Sequence, residues 1–159
     1  FVDGLRGIHQ FGGRGETNRS DAYKDRVKRR ALESEHPIVT VHAETGERIL
    51  YVSPSFLKSI VGLTPRESQK ILEILWEHIT RPEYTVRFKW NAGDIAFWDN
   101  RSTVHLAPTD IFESDFDRQL YRVTLVGKPL VGVDGQPSTS IEGVPILSAA
   151  EELKMLAAE

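Results

Sequence analysis

The spacing of apolar positions changes along this chain, and each change marks an element. Phe1, Val2, Leu5, Ile8 and Phe11 recur at helical spacing, which predicts that the chain opens on the end of an amphipathic helix. Gly12-Gly13-Arg14-Gly15 then stops it. Residues 16–35 are mostly polar, with Lys24, Arg26, Lys28, Arg29 and Arg30 set among Asp21, Asp25, Glu33 and Glu35. They predict a solvated helix, a mobile loop or a lid over a site. Ile38–Val41 and Ile49–Val52 flank a turn at Glu44-Thr45-Gly46, which predicts a hairpin over Pro37–Val52. Thr64-Pro65-Arg66-Glu67 starts a helix: Thr64 as N-cap, Pro65 at the first helical position, Glu67 closing a capping box. Ile71, Leu72, Leu75, Trp76 and Ile79 give that helix a core face, and Pro82 ends the segment.

Beyond Pro82 the period falls to two. Val86, Phe88 and Trp90 face one way, and Thr85, Arg87 and Lys89 the other. Asn91-Ala92-Gly93-Asp94 is a turn, and Ile95-Ala96-Phe97-Trp98 reads as a short buried strand. Asp99-Asn100-Arg101-Ser102 is a polar turn, after which Thr103–Leu106 and Gln119–Val126 read as strands. Residues 128–147 predict an extended surface run, and residues 148–158 a short helix. The pattern is mixed α/β and mainly antiparallel β, with one long helix ahead of the strands.

Bulk composition narrows the classes. At 159 residues the chain is long enough for one domain with a core. Apolar residues at 40% and charged residues at 27% are ordinary for a globular protein. A net charge of −3 without a basic excess or polybasic block argues against nucleic acid and against a membrane surface. No apolar run approaches the ~18 residues a membrane helix needs. The absence of cysteine rules out disulfides and thiolate metal sites and fits a reducing, cytoplasmic setting. The chain starts at Phe1, without methionine or a signal-peptide pattern, and reads like the middle of something longer.

The candidate chemistry lies in residues 90–122. His105 sits in an apolar stretch just after a polar turn. A lone histidine there is more often a hydrogen-bonded core residue than a metal ligand. Arg118 and Arg122 lie four apart on an alternating stretch, so they project from one face about 13 Å apart along it. They are either an anion clamp, using the forked guanidinium that matches a carboxylate, or a solvent-facing pair. Alternation favours the second, because Tyr121, Val123 and Leu125 make the opposite face the more apolar one. Asp94, Asp99, Asn100 and Arg101 read as turn residues. His9, His36, His42 and His78 read as structural, and none begins an H-x-D or H-E-x-x-H motif.

The run GDIAFWDNRSTVHLAPTD followed by RQLYRVTLVG resembles the taurine dioxygenase family of iron(II)/2-oxoglutarate-dependent dioxygenases, most closely the taurine and alkyl sulfate ester branch. The similarity extends back through HPIVTVHAETGERILYVSPSFLKSIVGLTPRES and RPEYTVRFKWNAGD, covering most of residues 35–127. It implies a double-stranded β-helix, or jelly roll, with flanking helices. It also implies a two-histidine, one-carboxylate iron site that leaves positions open for cosubstrate and O₂. By this resemblance His105 is the distal histidine of the iron site, and Arg118 binds the far carboxylate of 2-oxoglutarate. Arg122 lies near the cosubstrate and the substrate's sulfonate or sulfate, Trp98 lies close to the iron pocket, and Phe56 covers the substrate. The family's other two ligands form an H-x-D motif upstream, and these 159 residues contain none.

The resemblance therefore implies that residues 1–159 are the C-terminal portion of a single dioxygenase domain, with 16–35 as a loop or lid and 128–159 as a C-terminal extension. The expected function is hydroxylation of an organosulfur substrate next to sulfur or ester oxygen, releasing sulfite or sulfate and an aldehyde. Fe(II) is the expected metal, 2-oxoglutarate and O₂ the cosubstrates, and a homo-oligomer the expected assembly. These residues alone are expected to be inactive. Two alternatives stand beside this: an aryloxyalkanoate-type dioxygenase of the same family, and a catalytically inactive jelly-roll module that binds anions or partners.

Overall fold

A computed structural model describes residues 1–11, 32–106, 119–143 and 145–157. Among the described residues seven short strands form two antiparallel sheets. The strands β1 (Arg6–Phe11), β2 (Leu32–Pro37), β5 (Leu57–Ile60) and β7 (Thr139–Glu142) make a four-stranded sheet in the order β5-β1-β2-β7. A three-stranded sheet has the order β4-β3-β6, from β3 (Val39–Val41), β4 (Arg48–Leu50) and β6 (Val131–Gly132).

The chain passes between the sheets at Ile38, which is fully buried. Its N–H donates to Leu5 O at 2.9 Å beside the first sheet, and its carbonyl accepts from Tyr51 N at 2.8 Å beside the second. One residue thereby joins the two hydrogen-bond systems, as happens where a strand switches sheets. The hairpin expected over Pro37–Val52 is present: β3 and β4 pair with Thr40 opposite Ile49.

The helix α1 (Pro65–Ile79) begins as its sequence demands. Thr64 accepts from Glu67 N, and the Glu67 carboxylate accepts from Thr64 N at 2.8 Å and from its hydroxyl at 2.7 Å. Two otherwise orphaned N–H groups are so satisfied. α1 leans on β5 through Ser68, whose hydroxyl accepts from Ile60 N at 3.1 Å. Leu72 and Leu75 enter the core beside Ile38, Val39, Val52, Leu57 and Ile60, with Ile71, Trp76 and Ile79 packed around it. α1 stops at Thr80, and a 3₁₀ turn, Pro82–Tyr84, follows. A second capping box, Ser148 with Glu151, starts α2 (Ala149–Leu156) where a short helix was expected.

Several expectations fail. The opening segment is strand β1, not a helix end. Its inward positions are Gly7 and His9, and Gly7 lies so close to the Cδ1 methyls of Leu57 and Ile38 that a Cβ there would have to push them aside. Of the polar segment 16–35, residues 32–35 belong to β2; they are held by pairing with β1 and by an Arg6–Glu35 ion pair across it. The rest of that segment lies outside the described residues. Residues 128–147 are not simply an extended surface run: β6 docks on β3, β7 on β2, and Ser138 is buried against His36.

The largest departure concerns the period-two segments. Residues 85–106 and 119–126 form no strand. Ile95–Trp98, expected to be buried, is open to solvent, with Ile95 78% and Phe97 94% exposed. Alternation gives a segment two faces, but a strand also needs a neighbour to receive its N–H and C=O groups. Among the described residues no strand lies beside these segments.

Candidate functional site

His105 follows a turn that its own sequence closes. The Asp99 backbone carbonyl accepts from Ser102 N at 3.2 Å, Thr103 N at 2.9 Å and the Thr103 hydroxyl at 2.7 Å. The Asp99 carboxylate accepts from Arg101 N at 2.8 Å and from Arg101 Nε at 2.9 Å. It also accepts from His42 Nε2 at 3.0 Å. These bonds, those from Arg101 above all and then that from His42, hold the Asp99 carboxyl well below the usual carboxylate range, and Asp99, with Glu44, pushes the Arg101 guanidinium up. Arg101 also reaches Glu44 Oε2 at 2.7 Å. Asp99 is therefore spent on structure, as its turn position predicts. Asp94 is too, accepting from Asn91 N at 2.7 Å across the turn in which Gly93 takes φ +91°.

Within this frame Trp98 and His105 meet, ring centroids 5.0 Å apart and inclined at 52°. The Trp98 indole N–H donates to Asn100 Oδ1 at 3.0 Å. His105 is exposed, and among the described residues neither of its ring nitrogens has a hydrogen-bond partner. It is thus no hydrogen-bonded core histidine. An imidazole with both nitrogens free suits a metal ligand.

The other expected site residues are not gathered round it. Phe56 is 44% exposed and packs on Phe11, centroids 6.3 Å apart. Arg122 is exposed and has no ion-pair partner among the described residues. No hydrogen bond, ion pair or ring contact joins either of them to His105 among those residues. Arg118 lies outside the described residues. Nor do the described residues hold a group of three or more His, Cys, Asp or Glu side chains placed to bind a metal. The one H-x-acid spacing, His42-Ala43-Glu44, is not available: both nitrogens of His42 are engaged, Nε2 with Asp99 and Nδ1 with the Thr45 N–H at 3.2 Å. The iron site the resemblance implies fits His105 as one ligand, and these residues do not supply the others.

Two further histidines are more closely packed than the sequence indicated. His9 and His36 lie edge to face, centroids 4.8 Å apart, with Tyr51 beside both. Burial lowers both to about 4, against a weaker raising effect of the Gly7 carbonyl on His9. His36 Nδ1 lies 2.6 Å from Ser138 Oγ, tying β2 to the segment before β7.

Comparison with known proteins gives the class to which this mainly antiparallel β fold belongs. The profile of the taurine catabolism dioxygenase TauD, TfdA family matches residues 1–124, and the chain belongs to that family. It is 48% identical over 106 residues to an alpha-ketoglutarate-dependent sulfate ester dioxygenase of Pseudomonas putida, covering 67% of this chain and 34% of that protein. It is 46% identical over 103 residues to an alkylsulfatase of Acinetobacter baylyi, covering 65% of this chain and 32% of that one. A solved structure of a putative alpha-ketoglutarate-dependent taurine dioxygenase from Burkholderia xenovorans superposes with a TM-score of 0.79 at 66% identity, covering 91% of this chain and 48% of that chain. The chain thus spans about a third of those curated relatives' length and about half of that solved chain. The fold is accordingly mainly antiparallel β with flanking helices, part of the family's jelly roll.

No helix among the described residues is long and apolar enough to cross a membrane.

Proposed function

We propose that this chain is the C-terminal portion of an iron(II)- and 2-oxoglutarate-dependent dioxygenase that hydroxylates an organosulfur compound, a sulfate ester or a taurine-like sulfonate, at the carbon next to ester oxygen or sulfur. The observation that carries the reading is His105, exposed and with no hydrogen-bond partner on either ring nitrogen among the described residues, at the end of the WDNR turn of a chain that belongs to this family. Two relatives, an alkylsulfatase and a sulfate ester dioxygenase, suggest the substrate class. When bound, iron(II) with 2-oxoglutarate and O₂ supplies the oxidising chemistry. His105 offers one imidazole ligand to the metal. Arg118 holds the far carboxylate of 2-oxoglutarate through its fork. Arg122 neutralises the substrate's anionic group, Phe56 and Trp98 give the pocket apolar walls, and together they exclude water. The unstable hydroxylated product then releases sulfate or sulfite and an aldehyde.

The remaining iron ligands belong, in this reading, to residues of the whole protein outside these 159. Among the described residues the segments 85–106 and 119–126 have no partner strand, which supports the same division. A cytoplasmic location and a homo-oligomer go with it; the lack of cysteine fits the first.

The test is kcat/KM of the whole protein for hexyl sulfate, taurine and an aryloxyacetate, measured side by side with iron(II) and 2-oxoglutarate. A clear preference for either sulfur compound is expected. A clear preference for the aryloxyacetate assigns the enzyme to carboxylate substrates instead, and no turnover of 2-oxoglutarate with any of them leaves a binding module.

A further inference from the structure

The proposed function leaves one cluster of the described residues without a role: His42 and Glu44 on the hairpin turn after β3, with Asp99 and Arg101 on the turn before His105. The side chain of His42 is only 11% exposed. Its Nδ1 faces two backbone donors, Thr45 N–H at 3.2 Å and Glu44 N–H at 3.4 Å, while the Glu44 carboxylate stands farther off at 3.5 Å. Nδ1 is therefore the acceptor, and the ring proton is on Nε2, which donates to Asp99 Oδ2 at 3.0 Å. The imidazole is a rigid spacer between two turns 57 residues apart in sequence.

What lies beyond that spacer is the turn that carries His105. Asp99 closes it with its backbone carbonyl, and Thr103, the last residue so held, is two residues before His105. On the other side Trp98 precedes Asp99 directly and sets its ring against the His105 ring. The segment has no strand partner among the described residues, so no ladder fixes its position. A ligand left free must be ordered when metal binds, and that ordering weakens binding; a ligand held in advance avoids it.

We infer that His42 is a positioning residue for His105: through Asp99 it fastens the turn that sets where the His105 imidazole stands relative to the β3–β4 hairpin. This rests on the reading of His105 as an iron ligand. Glu44 adds a second tether through Arg101, but its carboxylate is half exposed and screened, so the tether through His42 dominates.

The experiment uses the whole protein and two substitutions. His42→Asn keeps an acceptor near the Nδ1 position for the Thr45 N–H but cannot reach Asp99. His42→Gln places an amide donor where Nε2 was. Two quantities are read: hydrogen exchange at the Ser102 and Thr103 amides, and the anaerobic dissociation constant for iron(II). His42→Asn is expected to speed exchange at both amides and to weaken iron(II) binding about tenfold, at the low end of what supporting residues of metal ligands contribute. His42→Gln is expected to restore both. Should His42→Asn fail to fold, Asp99→Asn keeps an Oδ1 acceptor for the Arg101 N–H and the turn's backbone carbonyl, puts an amide donor in place of the acceptor that meets His42 Nε2, and carries the same expectation. Unchanged exchange, unchanged iron(II) affinity, or failure of His42→Gln to restore them would each overturn the inference. His105→Ala serves as a separate control. If it leaves iron(II) affinity intact, the assigned function itself falls; if it abolishes binding while His42→Asn changes nothing, only the positioning role falls.

Discussion

Trp98 and His105, seven residues apart, stand with their rings 5.0 Å apart across the turn that Asp99 closes. An indole at that distance reports on whatever the imidazole binds. In the whole protein, anaerobic iron(II) should therefore quench part of the tryptophan emission. Trp98→Phe should remove most of that quench, and Trp76→Phe, on α1, should not. A quench that survives Trp98→Phe would place the metal away from His105.

The core makes a second prediction. Leu72 is fully buried among Ile38, Val52, Leu57 and Ile60, whereas Ile74, two residues on, is 66% exposed. Leu72→Ala removes buried methyl groups and leaves a cavity, so it should cost about 2–5 kcal/mol. Ile74→Ala should stay within about 0.5 kcal/mol. Urea unfolding, read as a shift of midpoint at constant slope, separates the two.

A third concerns pH. His9 and His36 are lowered to about 4 by burial, so an unfolded chain binds their protons first as pH falls. The stability linked to both histidines is complete above the ordinary histidine value of 6.5, falls as pH drops below it, and levels off near 4. Two groups give a slope of up to about 2.7 kcal/mol per pH unit. Urea midpoints between pH 7 and pH 5, above the range of ordinary carboxylates, should fall accordingly. The double substitution His9→Gln, His36→Gln should flatten that fall. An equally steep fall in the double variant would assign the effect to other groups.

Arg118, proposed to bind the cosubstrate, gives a fourth. In the whole protein Arg118→Lys keeps a positive charge but loses the bidentate fork. Loss of one charge-assisted hydrogen bond should cost roughly 1.5–3 kcal/mol, or about one to two decades in apparent 2-oxoglutarate affinity. Titration of 2-oxoglutarate at saturating substrate measures it, and an unchanged affinity would mean that Arg118 faces solvent. Arg122→Ala should instead act mainly on the sulfated substrate.

Legibility in the sequence followed how local each cause is. The start of α1 needs only Thr64, Pro65 and Glu67, so it could be read residue by residue. The β3–β4 hairpin needs two short apolar runs and one turn, and it too was legible. β1 was not, because its inward residues are Gly7 and His9, and the apolar residues around them happened to fall at helical spacing. β2 was hidden for a related reason: Glu33 and Glu35 make it polar, and what holds it is distant, Gln10 opposite Glu33 and Arg6 on Glu35. The segments around Trp90, Phe97 and Val123 show the reverse case. Their alternation was plain, but pairing depends on a partner that no local pattern contains. At the site, the turn chemistry of Asp94 and Asp99 was readable from position. The bond from His42 to Asp99 was not, because nothing in His42's own surroundings points 57 residues ahead.

His105→Ala in the whole protein tests the central claim most directly. His105 is exposed and makes no hydrogen bond among the described residues, so its loss should leave the fold alone, with the metal-free melting temperature within about 2 °C of the parent. Oxygen uptake with iron(II), 2-oxoglutarate and hexyl sulfate should fall to background in the same sample. Sustained uptake by a correctly folded His105→Ala protein would contradict the account, because the histidine would then hold no metal.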